Sequence, residues 1–261
     1  MGLRDDVLKL LDPQRILRDP RADGEGVVVC VLDSGIEESV LRARHPQMKA
    51  VQGAVFLADR PTPLPYEGKQ STPHGTTVAD ILLTLAPKVQ LVSADVFGPS
   101  GTCEVETVLR ALAWAVDVRK CKVVNLSLGV AEQKLQTLPK RQQFLRAIED
   151  AYFKDVLVFA AAHNDHPITR AYPAHFAPPL ISVDKNVFED PLRFAYTLRE
   201  QIEFQAHGRG YLGPFAQEPA TSWATPHLAA IAARILSLQL DLKPFEMKTL
   251  LYWLSEAGRS D

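Results

Sequence analysis

Apolar runs and amphipathic stretches alternate along most of this chain. Runs rich in β-branched residues predict strands at 27–33, 50–56, 89–96, 121–127 and 156–161. Apolar positions with helical spacing predict helices at 74–85, 104–117, 139–153, 222–238 and 243–255. Nearly continuous apolar strands between amphipathic helices are typical of a parallel sheet covered on both faces. We therefore predict an α/β fold, a three-layer sandwich with a mostly parallel sheet.

Three regions depart from this alternation. Residues 1–25 are polar and predict an N-terminal arm with a short helix before Pro13, so that 26–261 form a single folded domain. The stretch 60–73 is rich in proline and predicts an irregular loop ahead of the helix at 74–85. The segment 180–206 predicts further strands, with weaker patterning than the others.

Composition and charge narrow the choice of partners. The 261 residues are 46% hydrophobic, enough for one full core, and 29 basic against 31 acidic residues give a net charge of -2. Because these charges are scattered, neither nucleic acid nor an anionic membrane is an expected partner. No apolar run reaches the length that spans a bilayer, and the first residues lack the features of a secretory signal.

The cysteines suggest a compartment. Cys30, Cys103 and Cys121 are odd in number and lack the spacing of metal ligands. This pattern favours a reducing environment, so we expect a cytoplasmic location. Cys30 and Cys121 fall in predicted strands and are expected in the core. Cys103 falls in a turn, which makes it the cysteine whose reactivity is worth testing.

Three short strings carry the candidate chemistry. Asp33 follows an apolar strand, and His74 and Ser222 each begin a predicted helix. A serine hydroxyl is a weak nucleophile at neutral pH, so it needs an imidazole to accept its proton and a carboxylate to orient that imidazole. Taken singly, each residue has an ordinary structural role at a turn, a helix end or the surface. Together, in the order Asp, His, Ser, they predict a catalytic triad.

Five motifs in this order resemble those of the subtilisin-like serine proteases, also called subtilases or peptidase family S8. The motifs are VLDSG at 31–35, HGT at 74–76, VVNLSLG at 123–129, AAAHN at 160–164 and TSWATP at 221–226. The resemblance runs from about residue 26 to 255 and implies a subtilisin-like fold. It also implies that Asp33, His74 and Ser222 form the triad and that the Asn164 side chain is a donor of the oxyanion hole.

The resemblance further implies the substrate, an extended polypeptide that adds a strand between two backbone rails. The implied substrate-binding residues are Gly98, Pro99, Ser100 and Gly101 in one rail, Ser127, Leu128 and Gly129 in the other, and Ala162, His163 and Ala171 around the pocket for the residue before the scissile bond. A small side chain at Ala171 favours a medium or large apolar residue in that pocket.

Three positions depart from the family pattern. Ala220 stands where a glycine usually precedes Thr-Ser, which predicts strain or a clash if the position needs a positive φ or close substrate approach. Trp223 replaces the usual methionine after the serine, and the larger ring needs local repacking. His163 replaces a glycine, which predicts a narrower or more polar pocket.

No metal or cofactor is expected. The stretch 85–96 is too short for the calcium loop that many secreted members of the family insert there. His163 and His166 flank a carboxylate, but an i, i+3 pair in a loop lacks the helical context of zinc hydrolases.

The leading prediction is an intracellular serine endopeptidase, restrained by its substrate choice or by an activating or inhibitory protein partner. One alternative is a pseudoprotease that binds polypeptide as a regulatory module, which Ala220 and His163 favour. Another is an esterase or acyl-transfer enzyme that uses the same Ser, His and Asp. The two rails favour a peptide over a small ester.

Overall fold

The computed structural model describes residues 12–135 and 137–255. The strands are β1 (Val28–Asp33), β2 (Gln52–Val55), β3 (Leu64–Pro65), β4 (Gln90–Asp95), β5 (Val123–Leu126), β6 (Val130–Ala131), β7 (Leu157–Ala161), β8 (Ala171–Tyr172), β9 (Ile181–Asn186), β10 (Phe194–Arg199) and β11 (Ile202–His207). The α-helices are α1 (Pro13–Leu17), α2 (Glu38–Arg44), α3 (Pro73–Leu85), α4 (Val105–Asp117), α5 (Leu138–Phe153), α6 (Thr221–Leu238) and α7 (Pro244–Leu254).

The central sheet is mostly parallel. Within the described residues it has nine strands in the order β10-β11-β9-β7-β5-β1-β4-β2-β3. Strands β11, β9, β7, β5, β1, β4 and β2 run parallel to their neighbours in this row, whereas β3 and β10 pair antiparallel at the two edges. Strands β6 and β8 form a separate antiparallel pair.

Each face of the sheet has its own apolar core. On one face α3, α6 and α7 pack over side chains such as Phe159, and on the other α4 and α5 pack over side chains such as Val158. These two neighbours on β7 belong to opposite clusters, which explains why its sequence is continuously apolar rather than alternating. The predicted α/β sandwich is therefore confirmed.

Helix α6 lies at the centre of one layer. It is 18 residues long and buried on nearly all sides, with a run of alanines that lets it pack closely against α3 and the sheet. No helix in the described ranges is long and apolar enough to cross a membrane.

Some short elements were not predicted from the sequence. Helix α2 buries only Leu41, so its apolar periodicity is weak. A tertiary contact fixes it, because Arg44 Nε donates to the buried carboxylate of Asp80 on α3 at 2.7 Å. The two-residue strands β3, β6 and β8 are too short for a period to be visible.

The N-terminal segment packs on the domain where it is described. Leu17 and Ala22 are buried, and Arg234 of α6 donates from Nε to the carbonyl oxygen of Leu17 at 2.8 Å. The described part of 1–25 thus contributes side chains to the core. The helix predicted before Pro13 lies outside the described residues.

The carboxyl ends of the central strands bring the sequence motifs together. Strand β1 ends at Asp33, β5 ends one residue before Ser127, and β7 ends three residues before Asn164. In parallel α/β sheets this edge is where ligands bind. The candidate site lies there, between the N-termini of α3 and α6.

Candidate active site

Asp33 is a buried carboxylate at the end of β1, 1% exposed. Its Oδ1 accepts hydrogen bonds from the backbone N–H of Ser34 at 2.7 Å and from the Ser34 hydroxyl at 3.1 Å. Both carboxylate oxygens lie close to Nδ1 of His74, at 2.9 and 3.0 Å. These contacts offset the cost of burying the charge and hold the imidazole with Nδ1 protonated, so that Nε2 is left as the basic nitrogen.

His74 lies in the first turn of α3. The Thr72 side chain caps this helix by accepting a hydrogen bond from the His74 backbone N–H, and Pro73 occupies the first helical position, where no N–H partner is lost. Burial lowers the pKa of His74, but the charge of Asp33 and the hydrogen bond to it outweigh burial, so the pKa is raised overall. The imidazole is about one-third exposed and remains open to the cleft.

Gly75 lets the Asp33 turn and the start of α3 approach closely. A Cβ atom at Gly75 would lie 2.2 Å from the carbonyl oxygen of Gly35, which is far inside contact distance. Gly35 itself has a φ of +81° and bridges to Gln70. Both glycines are therefore needed for Asp33 to reach His74.

We expect Gly75→Ala to impair both stability and activity. The added methyl must push α3 away from the Gly35 turn, at a cost of about 1–3 kcal/mol in the free energy of unfolding, and this separates His74 from Asp33. Denaturant unfolding and kcat/KM measure the two effects. Gly68→Ala is the control, because its nearest neighbour is 3.7 Å away and it carries only the strain of a positive φ. Unchanged kcat/KM in Gly75→Ala would contradict the prediction.

Ser222 lies in the first turn of α6 and forms two hydrogen bonds with Ser127, donating one and accepting the other. Pro226 has no N–H, so the carbonyl of Ser222 has no i+4 partner within the helix. The Ser127 hydroxyl donates to that carbonyl at 2.9 Å, while the Ser222 hydroxyl donates to the Ser127 carbonyl at 3.3 Å. Among the described residues, no hydrogen bond joins the Ser222 hydroxyl to His74. The structure thus joins Asp33 to His74, whereas the Ser222 hydroxyl is hydrogen-bonded to the carbonyl oxygen of Ser127.

Asn164 has a side chain of fixed orientation. Its Oδ1 accepts hydrogen bonds from the backbone N–H of Thr221 at 3.0 Å, the Thr221 hydroxyl at 3.2 Å and Lys185 Nζ at 3.4 Å. Because Oδ1 takes all three, the Nδ2 hydrogens remain for a ligand. The backbone N–H of Ser222, at the start of α6, has no intrahelical acceptor either. Two donors are thus available near the serine.

Lys185 was not among the candidate residues. It lies on β9, and its ammonium also donates to the carbonyl oxygen of Asn164 at 2.5 Å. A single lysine near the end of a strand usually faces solvent, so no signal in the sequence could have identified this contact.

The two predicted rails differ in conformation. Residues 127–129 follow β5 directly and, in the part of the chain that the structure describes, pair with no other strand. Gly98–Ser100 instead form a turn of 3₁₀-helix, and Gly101 adopts a left-handed conformation with a φ of 65°. The buried carboxylate of Asp95 causes this, because its Oδ1 accepts from the N–H groups of Phe97 and Gly98, both at 3.0 Å. Gly98–Ser100 are therefore not extended in this conformation, and their role in substrate binding stays a prediction.

The candidate pocket residues divide into buried and accessible ones. Ala162 and Ala171 are buried, 4% and 2% exposed, and a Cβ atom at Gly129 would lie 3.3 Å from that of Ala171. The half-buried His163 lines a cavity of about 330 Å³. The other residues around this cavity are Phe97, Cys103, Glu104, Val105, Val108, Leu128, Gly129, Val130 and Ala131. The cavity is mainly apolar, with His163 and Glu104 as polar parts of its wall.

Cys103 in this cavity is a poor nucleophile. Burial, together with the charges of Asp33, Asp95 and Glu104, raises the pKa of its thiol to about 12. The thiolate form that would react is therefore scarce at neutral pH.

The structure accommodates Ala220 without backbone strain and buries the ring of Trp223. Ala220 has a φ of -138° and a ψ of 152°, which is ordinary extended backbone, so the expected strain at a positive φ is absent. Trp223 is buried between the rings of His74 and Phe215, with centroid distances of 4.8 and 5.0 Å.

In the part of the chain that the structure describes, no group of three or more His, Cys, Asp or Glu side chains is arranged to hold a metal ion.

The carboxyl edge of the parallel sheet thus carries the three residue types that a serine hydrolase uses, with the imidazole of His74 already held by a carboxylate. Residues 24–190 match the model of the subtilase family, Peptidase_S8. The chain belongs to this family.

Individual relatives agree with this assignment. The chain is 30% identical over 237 residues to M-protease of Shouchella clausii, with 81% of this chain and 54% of that protein covered. It is equally similar to Subtilisin Savinase of Lederbergia lenta, of which 77% is covered. It thus spans about half the length of M-protease. A solved structure titled S41 Psychrophilic Protease shares the fold, with a TM-score of 0.71, 22% identity and coverage of 92% of this chain and 87% of that one.

We expect Asn164→Ala to lower kcat by about a hundred- to a thousand-fold with little change in KM, the range known from a subtilisin that loses its oxyanion amide. The substitution removes the Nδ2 donor, and because it also removes the acceptor of the buried Thr221 N–H and hydroxyl, the melting temperature is measured alongside. Steady-state kinetics on a peptide amide measures the effect. Asn186→Ala is the matched control, because its side-chain amide bonds Gln205 rather than the site. A kcat within three-fold of the wild type would remove Asn164 from the oxyanion hole.

Proposed function

We propose that this protein is an intracellular serine endopeptidase that hydrolyses polypeptide through Ser222, His74 and Asp33. The observation that carries the proposal is the contact of both Asp33 oxygens with His74 Nδ1 at 2.9 and 3.0 Å, since this contact leaves Nε2 as the basic nitrogen. Trp223, the residue after Ser222, contacts the same imidazole ring. Three free cysteines, two of them buried, support an intracellular setting.

The proposed reaction follows from the roles of these groups. His74 Nε2 accepts the proton of the Ser222 hydroxyl as its oxygen attacks the scissile carbonyl, and Asp33 stabilises the imidazolium that forms. The Asn164 amide and the Ser222 backbone N–H donate to the oxyanion of the tetrahedral intermediate. His74 then gives its proton to the leaving amine, and water hydrolyses the acyl-enzyme by the same steps. Rotation about the Cα–Cβ bond of Ser222 frees its hydroxyl from Ser127 for the first step.

A polypeptide is the proposed substrate because residues 127–129 offer backbone that pairs with no described strand, and Ser127 is hydrogen-bonded to Ser222. The largely apolar cavity next to this segment supports an apolar side chain in the substrate. The bond between the Ser222 hydroxyl and Ser127, in place of one to His74, supports activity that depends on substrate or on a protein partner to complete the site.

A fluorophosphonate tests the proposal directly. We expect intact-mass analysis to find a single adduct on the purified protein and none on Ser222→Ala, because only an activated serine reacts. No adduct on the wild type would contradict an active hydrolase and favour the pseudoprotease. Comparing a peptide amide with its matching ester then separates a peptidase, which cleaves both, from an esterase, which cleaves the ester alone.

A further inference from the structure

The residue after the candidate nucleophile contacts the candidate base. Trp223 is 4% exposed, and its ring centroid lies 4.8 Å from that of His74 with the two planes inclined by 38°. On another side it packs against Phe215, 5.0 Å between centroids. The indole therefore cannot turn away from the imidazole without disrupting this packing.

Two hydrogen bonds connect the backbone of Trp223, through His227, to Tyr211. His227 Nδ1 donates to the carbonyl oxygen of Trp223 at 2.7 Å, and the Tyr211 hydroxyl donates to His227 Nε2 at 2.8 Å. His227 is completely buried, and burial lowers its pKa to about 3, so it stays neutral. Burial also raises the pKa of Tyr211 to about 12, so neither His227 nor Tyr211 carries a charge that would compete with the one that forms on His74.

The face of an indole ring attracts a cation whose centre lies within about 6 Å. His74 is neutral when it is ready to accept a proton and cationic once it has accepted one from Ser222. An interaction that strengthens as this charge forms stabilises the transition state more than the ground state, and so raises kcat.

We propose that Trp223 is a positioning residue that holds the His74 ring against Asp33 and stabilises its imidazolium form; the catalytic part of this role rests on the proposed function. Among the described residues, Asp33 on β1 is the charged group that acts on His74, while α6 presents the neutral Trp223 and Ser222 to it. The aromatic contact is thus the second source of stabilisation for the imidazolium.

The first experiment measures the pKa of His74 by NMR in a Ser222→Ala background, where activity plays no part. We expect Trp223→Met to lower this pKa by about 0.5 and Trp223→Phe to lower it by less, because phenylalanine keeps an aromatic face. Trp253→Phe, on α7, is the control for loss of a tryptophan and should leave the pKa unchanged. A His74 pKa that is the same with Trp223 in place as in both of its variants would overturn the proposal.

The second experiment measures kcat and KM for hydrolysis of a peptide amide in the protein that keeps Ser222. We expect Trp223→Met to lower kcat about three-fold at unchanged KM and to move the acidic limb of kcat/KM to lower pH, with Trp223→Phe in between. A purely structural role would lower the melting temperature of both variants without moving the acidic limb, and that result overturns the proposal. If the wild type cleaves no peptide, the proposed function fails while the NMR titration still decides whether Trp223 stabilises the imidazolium.

Discussion

Ser222→Ala is expected to lose peptide-bond hydrolysis almost completely, with kcat falling roughly a million-fold, the loss known for a subtilisin without its serine. The variant has no nucleophile, and the fold should remain because the side chain contributes a single 3.3 Å hydrogen bond. The residual rate would come from oxyanion donors and substrate binding alone. Progress curves on a peptide amide, with the melting temperature as a check on folding, measure the effect.

Ser237→Ala is the matched control for this variant. Ser237 lies near the other end of α6, where its hydroxyl is within hydrogen-bond distance of the carbonyl oxygens of Arg21 and Arg234 and accepts from the N–H of Gly24. It should keep wild-type kcat. A Ser222→Ala protein that retains more than about one per cent of wild-type activity would show that another residue, or a contaminating protease, performs the hydrolysis.

Asp33→Asn is expected to lower kcat by about ten thousand-fold while leaving the fold intact, the size seen when the triad aspartate of a serine protease becomes an amide. The new Oδ1 can still accept from the N–H and hydroxyl of Ser34, which turns the Nδ2 group toward His74. An amide donor there requires Nδ1 to accept, so the proton moves to Nε2 and the base is lost.

The same variant changes the pH dependence in a definite direction. Burial lowers the pKa of His74, and Asp33 outweighs burial to raise it overall. Removing the Asp33 charge therefore lowers the pKa of His74, and the acidic limb of the residual activity moves to lower pH. Asp155→Asn, which removes a charge paired with Lys243 next to α7, should change neither kcat nor the limb. An acidic limb that stays in place would exclude Asp33 as the source of the raised pKa.

The main elements of the fold could be predicted because their patterns are local and long. Helix α3 begins one residue before the prediction, at Pro73, and β1 ends at Asp33 as predicted. The order of the strands was not needed to predict that Asp33, Ser127 and Asn164 meet, since the carboxyl ends of parallel strands share one edge. Local motifs and sheet geometry together therefore located the candidate site.

What the sequence could not predict depends on contacts between distant residues. The 3₁₀ turn at 98–100 forms because the Asp95 carboxylate accepts two backbone N–H groups, and no spacing in the sequence indicates where that carboxylate points. Lys185 reaches Asn164 from a strand 21 residues later. The extended conformation of Ala220 likewise follows from the hydrogen bond of its N–H to the carbonyl of Gly208 at 2.8 Å, which the local motif does not contain.

The reciprocal bonds between Ser127 and Ser222 link substrate contact to the position of the nucleophile. The segment that would pair with a polypeptide is bonded, through a hydroxyl and a carbonyl, to the residue that would attack it. A peptide that binds out of register and displaces Ser127 would therefore also disturb Ser222, through the hydroxyl groups of these two residues. Correct placement of the substrate and correct placement of the attacking serine therefore depend on the same pair of hydrogen bonds.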